Sequence, residues 1–418
     1  MQSPRLRFMN RREFVKFIGG LAGCTGARMA FSNRLLSTVF AKEEEMMINI
    51  DDLLHAMETK DTAEADRRLK ELFDNGRDAW EIHLSLFPFV QRVLNPPFIN
   101  PHLPKLYAIN RELMPYLQKD EIPPLIRLEV IEYARRSKFE KLKKTDGLKQ
   151  TVAFSDIESA LREQDREKTA TLMATFHGQA GQDELSRRLL LIGSGYLSNT
   201  LGHSISCTAF ILQEMSLRRG EDLWPVFTVL ADYFCKGMFH HTPDLGDTVD
   251  VNSSGYIPRL LLQTTRGGGI VNLHHTITLY AMERIRHLFS EKEYGHMLSA
   301  LNAFMGEKEG KQPEIDIVES ARSVDYSTFI ETFSGMDPSS VTGIAAGMMT
   351  TSQGRRQLGR FLIRAVCEAY QGDYDPHYIT GLGSALWAID RYREQDTVAM
   401  NALYQYLDYL FDGLRSQT

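Results

Sequence analysis

Cysteine is scarce in this chain: four residues in 418, at Cys24, Cys207, Cys235 and Cys367, with no CxxC pair. That excludes a disulfide framework. It leaves the last three, all in apolar helical stretches, as small buried hydrophobes. No sign of charge dominates either. With 48 basic and 54 acidic side chains the net charge is −6, which gives no whole-chain electrostatic case for nucleic acid. No stretch holds 18 consecutive apolar residues, so no segment reads as a membrane-spanning helix. No convincing period-2 alternation argues for strands. The nucleophile elbow G-x-S-x-G and the zinc pair H-E-x-x-H are both missing. Arg266-Gly267-Gly268-Gly269 lacks the preceding strand and the lysine that a phosphate cradle needs. The basic cluster from Arg135 to Lys144 stands between acidic residues and reads as a solvated helix end.

What is present begins at the N-terminus. Asn10-Arg11-Arg12-Glu13-Phe14-Val15-Lys16, followed by a short glycine-rich apolar run, resembles a twin-arginine export signal. Residues 1–41 are therefore expected to be an export signal and linker, and the mature protein to reside in the periplasm or cell envelope. Such signals carry proteins that have already folded, often with a cofactor inserted. Leu21-Ala22-Gly23-Cys24 also looks like a lipoprotein box, which would tether Cys24 to a membrane. The alternative is cleavage further on, near Ala41, or retention of the segment.

From residue 48 to 415 the apolar spacing is helical nearly throughout, and an all-α fold is expected. Glycine and proline clusters divide this region into segments that resemble one another, with units at about 49–140, 154–241, a partial one at 250–305, and 326–415. Three units carry an acidic turn residue, Asp61, Asp165 and Asp337. Roughly forty residues after each stands a histidine: His102, His203 and His377. The partial unit supplies His275. His203-Ser204-Ile205-Ser206 and His275-Thr276-Ile277-Thr278 share one pattern, and His377-Tyr378-Ile379-Thr380 fits it. His102-Leu103-Pro104-Lys105 is the divergent member. The full units close on an acidic residue and a tyrosine: Glu132-Tyr133, Asp232-Tyr233 and Asp408-Tyr409. The expected architecture is a helical-repeat bundle of three full copies and one partial copy, pseudo-symmetric and packed as one domain.

Asn100-Pro101-His102 and Asp375-Pro376-His377 read as a helix start with histidine in the first turn. The positive helix terminus disfavours protonation there and keeps imidazole in its neutral, metal-binding form. A single such histidine is more often a packing residue. Four equivalents on units that must pack together point instead to one shared centre, with His102, His203, His275 and His377 as metal ligands. Nitrogen ligands without thiolates suit iron, copper, nickel or zinc. His274 and His240 are candidates for supporting positions, Tyr233 and Tyr409 for proton or hydrogen-bond donors. The remaining histidines, His83 among them, have no repeat partner and read as structural.

The unit of acidic turn, apolar helix, histidine motif and closing apolar helix resembles the questin oxidase-like family, over roughly residues 50–415. It is also similar to the helical region that accompanies Rieske iron–sulfur domains in some bacterial proteins. The resemblance implies oxygen insertion into, or ring cleavage of, aromatic or quinone-like small molecules. It further implies a non-haem iron site built from several histidines and a modified lysine, for which Lys236 is the candidate, although its counterparts Arg136 and Asp412 in the other units favour a solvated helix edge. No Rieske motif is present in the chain, so electrons would come from a separate Rieske-type or other electron-transfer protein. The competing expectation is a non-enzymatic helical-repeat scaffold that binds a partner at the envelope. The two differ in one distance. A shared metal requires histidine nitrogens about 3–4 Å apart, whereas a scaffold leaves them beyond about 10 Å.

Overall fold

The computed structural model describes residues 50–94, 99–138, 142–145, 151–217, 222–246, 248–250, 256–306, 324–370, 375–392 and 396–416. The twin-arginine segment, Cys24 and Ala41 lie outside the described residues. Asp52 onward forms one compact unit. It is all-α: nineteen helices and no strand among the described residues, with a single isolated bridge between Val93 and Lys138. No helix among them is long and apolar enough to cross a membrane.

The three acidic turn residues do the same local job. Asp61, Asp165 and Asp337 are N-caps whose carboxylates accept from the backbone N–H of Glu64, Lys168 and Ser340 respectively. Each satisfies donors that the helix start leaves open. Cys207, Cys235 and Cys367 are free thiols, the first two buried and the third partly so.

Four helices make the centre: His102–Leu113, His203–Leu217, Gly269–Ile285 and His377–Arg391. They pack in a closed cycle in which each touches the next and the last touches the first. A helix with apolar residues on every side must be enclosed by others, and these are. In the His203 helix every residue is buried except Gln213, Ser216 and Leu217. Leu103, Leu106 and Ile109 on the His102 helix are fully covered, each contributing about 1.5–3 kcal/mol by leaving water.

All four run in the same direction. The starts of the His102 and His203 helices meet at their histidines, and near their ends Arg111 Nε donates to Glu214 Oε1 at 2.8 Å. Further along the Gly269 helix, Arg284 reaches Gln213 at 2.9 Å and Glu112 at 2.8 Å. Tyr280 also donates to Glu112. The rings of Tyr280 and Trp387 lie 5.3 Å apart, tying the Gly269 and His377 helices at the same end. One end of the bundle is thus closed by ion pairs and the other by histidines.

Candidate metal centre

At the histidine end four imidazoles form a ring of edge contacts that follows the cycle of helices. Centroids are 4.4 Å apart for His102–His203, 4.5 Å for His203–His274, 4.6 Å for His274–His377 and 5.0 Å for His377–His102. All four residues are buried, with His377 the most open at 8% exposure. His203 is the hub. Its Nε2 lies 2.6 Å from Nε2 of His102, 3.1 Å from that of His274 and 3.4 Å from that of His377.

The other ring nitrogens fix the tautomers. Nδ1 of His203 lies 2.6 Å from the carbonyl of Thr200, and Nδ1 of His274 lies 2.7 Å from that of Ile270. A carbonyl only accepts, so both Nδ1 atoms carry the proton and both Nε2 atoms present lone pairs. His377 Nδ1 lies 2.5 Å from Asp375 Oδ1. The Asp375 carboxyl is held well below the usual carboxylate range: burial pushes it up, and its bonds to His377 and Tyr409 outweigh this. It is therefore an acceptor too, and the Nδ1 of His377 donates to it.

Lone pair faces lone pair across the 3.1 Å contact between His203 and His274. Protons do not relieve the conflict. Burial foremost, then the neighbouring histidines and Lys105, holds the pKa of His102 and His203 well below the usual histidine value. For His274 burial again leads, followed by His377 and Lys105, with the same result. A cation coordinated by the nitrogens resolves it. Nitrogens bound at about 2.0–2.1 Å to one ion lie roughly 3.0–3.4 Å from one another. The His274 and His377 separations from His203 fit this, while the His102 contact is shorter. Ligating nitrogens of His102, His203 and His377 all lie within 4.8 Å of one another, so this buried trio can hold a metal ion.

Local sequence explains the positions. His102, His203 and His377 are the first residues of their helices, as the motif indicated. Pro101 and Pro376 take the cap position, one residue earlier than the sequence suggested. Before His203 the chain turns through Leu201 and Gly202, both left-handed at φ 51° and 76°, which brings the ring back to Thr200. A side chain at Gly202 would meet Thr278 of the neighbouring helix at 1.9 Å, so glycine is required there.

Several expectations are corrected. His275 is not in the ring; it packs against Phe304 with centroids 4.7 Å apart. Its neighbour His274 takes the place, because successive helical residues point about 100° apart and only one can face the centre. Neither belongs to a first turn, since their helix begins at Gly269. His240 does not join the centre; its backbone N–H contacts the Tyr196 hydroxyl at 3.4 Å. Lys236 is exposed and pairs with Asp232 at 2.6 Å. The buried lysine beside the histidines is Lys105, fully covered and one turn along from His102.

The two tyrosines differ. Tyr409 donates to Asp375 Oδ2 at 2.5 Å, so it reaches His377 through a carboxylate. Tyr233 is buried against Phe234 and Phe239, at 6.0 Å and 5.2 Å between centroids. Its hydroxyl has no hydrogen-bond partner among the described residues. At the glycine run after Arg266, Gly269 N–H donates to Asp408 Oδ2 at 3.0 Å, so the chain's own carboxylate occupies that helix start. A separate pocket of about 600 Å³, walled by Phe89 and Trp224, includes none of the histidine set.

Two participants escaped the sequence reading. Asp375 was visible only as a helix-start residue, yet it holds His377 by side chain and backbone. Lys105 occupies the Ser/Thr place of the histidine motif in the first unit, which was the available signal. Comparison with family models, with curated proteins and with solved structures gives no match to this chain, so its functional reading rests on this geometry.

Proposed function

We propose that the protein is a metal-dependent oxidoreductase whose ion is held by His203, His102 and His377, with His274 as the fourth nitrogen. One observation carries the reading: Nε2 atoms of buried imidazoles converge on His203 while the Nδ1 atoms of His203, His274 and His377 are tied down behind them. A scaffold has no use for that arrangement, and the nitrogen separations of 2.6–3.4 Å are far below the spacing it would leave. The proposed ion is iron, which when bound would supply electron transfer to dioxygen.

The residues around the centre have defined tasks in this reading. Thr200, Ile270 and Asp375 orient the imidazoles and raise their basicity as ligands. Tyr409 steadies Asp375. Leu103, Leu106 and Ile277, all fully buried, lie within about one helical turn of His102 or His274. The resemblance noted above makes an aromatic or quinone-like compound the proposed substrate and a separate electron-transfer protein the proposed partner. An export signal in residues 1–41 suits a protein carried out folded with its metal in place.

Metal analysis on protein purified without a polyhistidine tag tests the assignment. We expect stoichiometric metal in the native protein and none in His203→Ala/His377→Ala. His275→Ala retains it. Trace metal that is the same in native protein and double variant would overturn the reading.

A further inference from the structure

The Ser/Thr that follows each histidine by three places in the sequence motif has no task in holding a metal. Its positions are nonetheless specific. Residues i and i+3 share a helix face, so these side chains form a layer one turn beneath the imidazoles. Beneath His203 is Ser206, beneath His377 is Thr380, and beneath His102 is Lys105. Each is fully buried. The hydroxyl of Thr380 and the Nζ of Lys105 have no hydrogen-bond partner among the described residues, and the hydroxyl of Ser206 meets only the neighbouring Cys207 thiol. Helical Ser and Thr usually donate to the carbonyl four residues back, and Thr278 and Thr264 in this protein do so. Ser206 and Thr380 do not. Leaving a hydroxyl or amine buried and unmatched costs about 1–3 kcal/mol, and more when charged. Two unmatched groups and one weakly matched hydroxyl in one layer therefore call for a ligand that accepts hydrogen bonds.

Charge specifies what that ligand is. Imidazoles acting as ligands bring no charge to a divalent cation, and among the described residues Asp375 is the carboxylate hydrogen-bonded to them. A net positive charge remains in a buried site even if Lys105 is counted as neutral. Three helix starts add to it, each equivalent to about half a positive charge. Buried charge of this kind is tolerated only when paired.

We propose that Lys105, Ser206 and Thr380 form a binding site for a small monovalent oxyanion, held beneath the histidines and completing the surroundings of the metal. This rests on the metal reading above. It assigns the motif's third residue a purpose: the units with Ser and Thr donate through hydroxyls, and the divergent first unit donates through an amine. Both donor types match a carboxylate-like acceptor, and neither needs a protonation change to act.

Metal affinity measured by chelator competition in formate and in perchlorate, at equal ionic strength, tests the proposal. For the native protein we expect formate to tighten metal binding by roughly tenfold or more, within the usual range for coupled sites. Lys105→Met keeps the side-chain length without a donor, and Ser206→Ala/Thr380→Val removes both hydroxyls. In each the formate effect should fall to about threefold or less while metal still binds. Native affinity indifferent to formate overturns the oxyanion site and leaves the metal reading intact. So does a Lys105→Met protein that keeps the full effect, or one that takes no metal in either medium, since Lys105 would then support the metal itself. A native protein that binds no metal in any medium overturns both.

Discussion

The two ends of the central bundle are built on opposite rules. At the far end every charge meets its complement: Arg111 with Glu214, and Arg284 with Glu112, which also accepts from Tyr280. At the near end like meets like, with the Nε2 lone pairs of His203 and His274 turned on one another. The same four helices carry both ends, so helix packing did not force the difference. The far end is arranged for the folded chain alone. In the proposed reading the near end is arranged for an added cation, and it withholds stability from the empty chain in return for affinity.

Acidification breaks the comparison most strongly. In metal-free protein the folded pKa values of His102, His203 and His274 lie below the unfolded value. As pH falls below about 6.5 the unfolded chain takes up protons that the folded centre refuses, so stability decreases. The loss is about 1.4 kcal/mol per pH unit for each histidine, on the order of 4 kcal/mol for three. Urea unfolding in the presence of a chelator between pH 7.5 and 5 measures it. A flat profile would mean that the histidine end carries no strain.

The far end responds to substitution instead. Arg111→Ala leaves Glu214, whose side chain is only 2% exposed, without its partner, and should cost about 3 kcal/mol in the same unfolding experiment. Its metal content should not change; a parallel loss of metal would show the two ends to be coupled. The smallest effect is expected at Tyr409→Phe, which removes one hydrogen bond to Asp375. Metal affinity should weaken by about five- to tenfold, near 1 kcal/mol, with unfolding almost unaltered. No change in affinity would make Tyr409 a packing residue.

How much of this was legible in the sequence varied with the range of the physics involved. Local rules served well where one helix decides. Asp61, Asp165 and Asp337 are capping residues because the first turn needs acceptors, and His102, His203 and His377 begin helices for reasons visible in their flanking Gly and Pro. The rule failed at His275. Matching its motif to that of His203 ignored that its helix begins earlier, at Gly269, so the neighbour His274 points inward. Lys236, whose counterparts Arg136 and Asp412 suggest a solvated helix edge, and Lys105 both sit in apolar stretches. One lies at an exposed edge paired with Asp232 and the other lies under the centre, and only packing separates them.

The sequence by itself determined that the chain is all-α and that histidines recur at helix starts, because helical periodicity and capping act within a few residues. Tertiary structure alone decided which four imidazoles meet, that Asp375 and Lys105 join them, and that the lone pairs of His203 and His274 collide. Those facts depend on side chains about 70 to 170 residues apart in sequence, brought together by a closed cycle of parallel helices. No local pattern records the angle at which a helix turns one residue inward and its neighbour away.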